Sequence, residues 1–308
     1  MWTAIFLAAI VAGGTLAYGA WAYRAVAHGA PLWAFIVGYP FAYLAVPLLF
    51  AICWFVLAWW FRAERPADVR LSLPARVAMF GREFLALARS GSRMIFYKWL
   101  MPDPPPAPAK LPILLVHGVG CNAGVWSGFR RHLAKCGIGP VYAVSYGPPL
   151  ASIEHFADQV AERIADIAAA TGAAQVVFVC HSMGGLVARA YLRKFGGNHV
   201  RRLITIGTPH HGSMHAWMMA GMSLSQMRPK NAWLADLNGN AKGADGVPVA
   251  SIWSWHDSMV TPQTSSRIDW GENIVLTGVA HNAMLDDPRV WAAAIAQIGI
   301  AATSGSPA

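Results

Sequence analysis

The first 61 residues of this 308-residue chain carry one charged side chain, Arg24. That scarcity constrains what the segment can fold into more than any other feature. Met1 to Tyr23 is uncharged, and Pro31 to Phe61 is uncharged over 31 residues, against about 20 apolar residues needed for a helix to cross a bilayer. Two membrane-spanning helices are the simplest reading; a buried core helix of this length is disfavoured in so short a chain. Trp33, Tyr39, Trp54, Trp59 and Trp60 lie partly toward the ends of the second segment, where amphipathic rings favour the headgroup region.

Arg62, Arg65, Arg70 and Arg76 follow at once, whereas the connection between the two segments offers Arg24 and His28. The positive-inside rule therefore places everything after residue 61 in the cytoplasm, as for a protein of a bacterial inner membrane. Ala20-Trp21-Ala22 resembles a signal-peptidase site, but no Lys or Arg precedes the first apolar run. A hairpin and a cleaved signal both return the chain to the same side; a single uncleaved span would not. The four cysteines outline no disulfide framework.

Residues 62–100 carry eight Lys or Arg and three acids. The basic excess thus sits beside the membrane. Leu73, Val77, Phe80, Phe84, Leu87 and Ala88 recur there at helical spacing, with Arg76, Arg82, Arg89 and Arg93 interspersed. Two readings are open: an interfacial helix drawn to anionic lipid, or a helix packed on the following domain. Nucleic-acid binding is not expected, because no recognised module accompanies the charge. Five prolines between Pro102 and Pro108 form a stiff spacer. The expected organisation is an anchor at 1–61, a basic juxtamembrane segment and linker at 62–109, and a folded domain at 110–308.

From Lys110 onward, short runs of branched apolar residues alternate with amphipathic segments, the pattern of a parallel sheet covered by helices. Strands are predicted at Pro112–Val116, Pro140–Val144, Gln175–Val179, Arg202–Ile206, Val249–Trp253 and Asn273–Thr277. Ile153, Phe156, Val160, Ile164 and Ile167 define one apolar helical face. Glu154, Asp158, Glu162 and Asp166 fall at fourfold spacing opposite it, which predicts a solvated surface and not a catalytic cluster.

The third strand ends in Cys180-His181-Ser182-Met183-Gly184-Gly185. A serine on a tight strand-to-helix turn projects its Oγ above the sheet, and small residues on either side let that turn close. Gly184 fits; Cys180 stands where glycine is expected. With this elbow go Val116-His117-Gly118-Val119-Gly120 after the first strand, Gly207-Thr208-Pro209-His210-His211-Gly212-Ser213 after the fourth, and a late Asp and His. Together these resemble the α/β-hydrolase superfamily, especially bacterial serine lipases and esterases, over about Leu111 to the C-terminus. The implied fold class is α/β: a mostly parallel central sheet flanked by helices, preceded here by two transmembrane helices. Gly118-Val119-Gly120-Cys121-Asn122-Ala123 also fits a dinucleotide-binding turn, but the ribose-binding acid expected about 20 residues later is missing: no Asp or Glu lies between Asp103 and Glu154.

The resemblance implies Ser182 as nucleophile, Asp257 in Asp-x-x-Val-x-Pro as acid and His281 as base, with backbone N–H groups of Val119 and Met183 as oxyanion donors. Asp236, Asp245 and Asp269 are competing acids assigned to the surface. His117 and His181 are expected to orient loops; His210, His211 and His215 fall short of a metal-ligand spacing. The chemistry requires neither metal nor cofactor. A cap over the serine is expected at about 212–247, where Met214, Trp217, Met218, Met219, Met222 and Met227 concentrate; Met218 and Met222 are the substrate-binding candidates. The expected partners are a lipid or other acyl ester and the bilayer itself. An acyltransferase or thioesterase on the same triad, or a silent interaction protein on the same fold, are the alternatives.

Overall fold

A computed structural model describes residues 2–218, 220–239 and 246–303. In chain order its elements are α1 (Trp2–Ala27), α2 (Leu32–Trp60), α3 (Leu73–Ile95), a single turn α4 (Tyr97–Leu100), β1 (Ile113–Val116), α5 (Ser127–Lys135), β2 (Val141–Ala143), α6 (Ile153–Thr171), β3 (Val176–His181), α7 (Met183–Phe195), β4 (Val200–Ile206), α8 (Met222–Gln226), α9 (Ala232–Gly239), β5 (Val249–Ser254), β6 (Glu272–Leu276) and α10 (Pro288–Thr303). All six predicted strands are present.

The six strands form one sheet, ordered β2-β1-β3-β4-β5-β6, with every adjacent pair parallel. Alternation divides its inner strands between two cores. Leu114, Val116, Phe178 and Cys180 pack with α6 and α7 residues on one face, while Ile113, Leu115, Val177 and Val179 pack with α5 and α10 residues on the other. The chain leaves β1 toward β2 and then crosses to β3 on the opposite side. The strand order therefore reverses between β1 and β3, and a crevice opens beyond their carboxyl ends.

Helix α6 buries Ile153, Phe156, Val160, Ile164 and Ile167, the predicted apolar face. It starts at Ser152, whose side chain accepts from His155 N at 3.1 Å, and stops at Gly172 in the left-handed conformation. Its acids act as helix surface: Glu154 pairs with Arg193, Asp158 with Lys194 and Asp166 with Arg163.

Helices α1 and α2 are long and apolar enough to cross a membrane, and few of their residues are buried. Phe6, Leu16, Phe41, Leu49 and Trp60 are among the exposed ones. That surface excludes the buried-core-helix reading. The two helices pair through Tyr18 Oη donating to Phe35 O at 2.9 Å, a Thr15–Tyr39 hydroxyl pair at 2.6 Å, and edge-on Tyr18, Trp21, Phe35 and Tyr39 rings.

Helix α3 bears on one of the two readings left open for residues 73–88, that of a helix packed on the following domain. It lies between the α1–α2 pair and the sheet domain and packs on both. Phe80 meets Phe55 of α2 at 5.4 Å between ring centroids. On its other side Met79, Glu83, Ala86 and Met94 are buried, Arg82 donates to Gly278 O at 3.0 Å, and Arg93 pairs with Asp286 at 2.8 Å. The face turned to the hydrolase is thus offset from the apolar stripe that periodicity marks, and the first residues of that stripe, Leu73 and Val77, are exposed.

Candidate active site

Ser182 is the residue between β3 and α7, at φ 56° and ψ −129°. Left-handed backbone at a non-glycine residue costs about 1–3 kcal/mol and persists only where the surroundings impose it. The surroundings do so here. Ser182 N donates to Ile206 O at 2.9 Å, and Thr208 Oγ1 donates to Ser182 O at 2.8 Å. The two following glycines are there for space: a Cβ on Gly184 would lie 2.5 Å from Val116 O, and one on Gly185 would lie 2.2 Å from Thr208 Oγ1. Cys180, two residues before the serine, points into the core formed with α6 and α7 and is fully buried, so a small side chain is accommodated where glycine was expected. Its thiol is free and burial raises it well above the usual range, which leaves it inert.

The loop after β1 closes one side of the serine. A Cβ on Gly118 would sit 2.8 Å from Ser182 Cβ, so Val119 follows a glycine that lets backbone approach the nucleophile. Met183 is the first residue of α7, where unpaired amides and the helix dipole favour negative charge. The two predicted oxyanion residues thereby flank Ser182.

Asp257 follows β5 and His281 follows β6. His281 Nδ1 donates to Asp257 Oδ2 at 2.9 Å, which leaves Nε2 as the acceptor nitrogen. Asp257 Oδ1 accepts from Met259 N at 2.7 Å and Val260 N at 2.8 Å. Ser182, Asp257 and His281 are 7%, 2% and 2% exposed. Burial pushes the His281 imidazole down, but the charge and hydrogen bond of Asp257, with the charge of Glu83, outweigh it and raise it above its ordinary value. Gly207 leaves room for the pair: a Cβ there would stand 3.1 Å from Asp257 Oδ2 and 3.3 Å from His281 Nδ1.

The other histidines serve neighbouring loops. His181 Nε2 donates to His281 O at 3.1 Å, with the two rings 4.6 Å apart. His117 Nδ1 donates to Gly118 O at 2.8 Å. Burial lowers His181 well below its ordinary value and takes His117 to about 4. His210 lies against Arg189 and Thr205 and shares Asn238 with its neighbour His211, whereas His215 stands apart between Thr261 and the backbone of Trp54. Among the described residues no group of three His, Cys, Asp or Glu is arranged to hold a metal. Of the competing acids, Asp236 pairs with Arg193, Asp269 is exposed beside Arg267, and Asp245 lies outside the described residues.

Between β4 and β5 run a 3-10 turn at Met214–Trp217 and the short helices α8 and α9. Their apolar residues divide. Leu224, Met227, Leu234 and Leu237 are buried in the core, whereas Trp217, Met218 and Met222 are exposed. Met219 lies outside the described residues. Three residues that local sequence does not mark hold the site from outside: Thr208 on the serine carbonyl, Gln263 donating to Asp257 O at 3.1 Å, and Glu83 from α3. Thr208 falls within the motif loop after β4 and Gln263 directly follows the Asp-x-x-Val-x-Pro run, which is the only signal pointing to them.

A parallel sheet with a strained serine at its reversal point and an Asp–His pair at the ends of later strands defines the α/β-hydrolase fold, and this chain has it. The sequence profile of that fold matches residues 112–232. The chain is 31% identical over 122 residues to triacylglycerol lipases of Pseudarthrobacter phenanthrenivorans and Burkholderia plantarii, in each case over 36% of its own length. The match spans only about a third of those lipases, 36% and 32% of their lengths. Among solved structures, a Bacillus licheniformis lipase in mature form superposes with a TM-score of 0.56 at 16% identity, over 64% of this chain and 96% of that one. Aspergillus fumigatus lipase B gives 0.53 at 24% identity, over 60% and 52%.

Proposed function

We propose that the protein is a membrane-anchored serine hydrolase of carboxylic esters. The observation that carries this reading is the buried 2.9 Å pair between Asp257 and His281, in a sheet whose third strand ends at a serine in strained left-handed backbone. Ser182 Oγ attacks the ester carbonyl while His281 Nε2 takes its proton; Asp257 stabilises the imidazolium, and the amides of Val119 and Met183 hold the oxyanion. His281 returns the proton to the departing alcohol. Water then repeats the sequence on the acyl-enzyme and releases the acid.

The preferred substrate is a lipid or medium-to-long acyl ester. Two features support this: the exposed Trp217, Met218 and Met222 of the proposed cap, and the lipases among the relatives. Anchor contacts add a third. Thr3 Oγ1 of α1 donates to Cys121 O in the loop after β1 at 3.2 Å, so the oxyanion loop sits against the first turn of a helix proposed to span the bilayer. In this reading residues 1–61 are the anchor, 62–109 the juxtamembrane connection and 110–308 the catalytic domain, with 212–247 as its cap.

Labelling with a serine-directed fluorophosphonate tests the assignment. The intact chain should label, and Ser182→Ala and His281→Ala should not; equal labelling of all three refutes the site. Chain-length profiling tests the substrate class, and activity confined to acetyl esters removes the lipid reading.

A further inference from the structure

The helix between anchor and hydrolase carries an acid on the face that meets the hydrolase. Glu83 of α3 is 0% exposed. A buried carboxylate is costly unless donors replace its water, and here four donors do. Oε1 accepts from Ser258 Oγ at 2.8 Å, from Asn282 N at 3.1 Å and from Asn282 Nδ2 at 2.8 Å; Oε2 accepts from Ala283 N at 2.8 Å. Ser258 adjoins Asp257, and Asn282 adjoins His281. Ser258 Oγ, while donating to Glu83, accepts from His281 N at 3.2 Å. One carboxylate therefore ties together the two loops whose side chains form the Asp257–His281 pair.

We propose that Glu83 is a positioning residue of the triad: from α3 it fixes the separation of the acid and base loops and holds a negative charge beside the imidazole. This rests on the triad reading above. The charged and titratable groups facing His281 are few. Asp257 comes from the end of β5, His181 from the end of β3, His215 from the turn after β4, and Glu83 from α3. Burial holds His181 well below its ordinary value and His215 at about 4, so neither carries charge near neutrality. Arg82 and Arg93 of α3 are engaged by Gly278 O and Asp286. Asp257 and Glu83 are thus the two negative groups that favour imidazolium, and removing the second lowers the pH at which the base becomes available.

The test uses the full-length protein in detergent, with fluorophosphonate labelling at Ser182 and kcat/KM for a p-nitrophenyl ester across pH. Glu83→Gln should lower kcat/KM about tenfold or more, since small displacements of catalytic groups reach 10²-fold, and should move the acid limb to lower pH. Ser258→Ala cuts the relay to His281 N but keeps the carboxylate; it should lose activity severalfold with the acid limb in place. An unmoved limb in a folded Glu83→Gln protein overturns the proposal whatever its rate, because support alone would cost rate without moving the limb. If Glu83→Gln does not fold, Ser258→Ala decides: a severalfold loss of kcat/KM with the acid limb in place supports the proposal, and wild-type kcat/KM or a shifted limb overturns it. Absence of wild-type labelling at Ser182 would overturn the triad reading instead.

Discussion

Asp257 divides its work between two oxygens, one holding His281 and the other two backbone amides of its own loop. Asp257→Asn keeps the shape and one acceptor oxygen but replaces the oxygen facing imidazole with a donor or forces the other tautomer. By the tautomer argument kcat should fall by about 10⁴, while the thermal midpoint changes little; a melting curve beside ester hydrolysis checks both. The raised His281 value sets a sign as well. The base acts as neutral imidazole, so kcat/KM climbs with pH as His281 loses its proton, and the midpoint of that climb should lie above the ordinary 6.5. A midpoint below that value in the wild-type protein contradicts the Asp257 and Glu83 electrostatics. Sequence marked Ser182, Asp257 and His281 because each stands in a local motif beside a strand end. Glu83 has no such mark: it lies far from the residues it binds, and an isolated acid on a helix reads as surface.

At the scale of elements, short continuous runs of branched apolar residues made the strands legible to within two residues, since each inner strand fills a core on both faces. Helix α3 was legible as a helix but not in its orientation, because its hydrolase face mixes Met79, Glu83, Ala86 and Met94 with engaged arginines while its apolar stripe is offset. Its docking depends on close backbone contact with the 3-10 turn at Ala123–Trp126. A Cβ on Gly124 would stand 2.1 Å from Arg93 O. Gly124→Ala must therefore push the end of α3 from that turn, and overpacking of this kind costs about 1–3 kcal/mol. The expected result is a lower thermal midpoint with reduced esterase activity; an unchanged midpoint would show that α3 docks elsewhere.

For the whole molecule, the first turn of α1 and the far end of α2 both touch the hydrolase. Thr3 reaches Cys121 O, while Ala63 N, just past α2, donates to Gln263 Oε1 at 3.0 Å, and Gln263 in turn holds Asp257 O. Both ends of the helical pair thus lie on the side that carries the site, the arrangement of a hairpin that enters and leaves a bilayer from one face. With the arginines after Phe61, the expected topology is cytoplasmic. Protease added to right-side-out vesicles should leave the hydrolase intact and should digest it in inverted ones; digestion from outside reverses the orientation.

The sequence by itself determined the class of fold, the strand positions, the two long apolar helices and the residues of the candidate triad. These are properties of local pattern, where periodicity, turn geometry and motif spacing act over a few residues. Tertiary structure alone decided which face of α3 meets the sheet domain, which methionines after β4 are buried, why Cys180 is tolerated at the elbow, and that Glu83 bridges the loops carrying Asp257 and His281. Each of these depends on contacts between segments far apart in the chain, and a hydrogen bond across such a distance leaves no trace in the residues on either side of it.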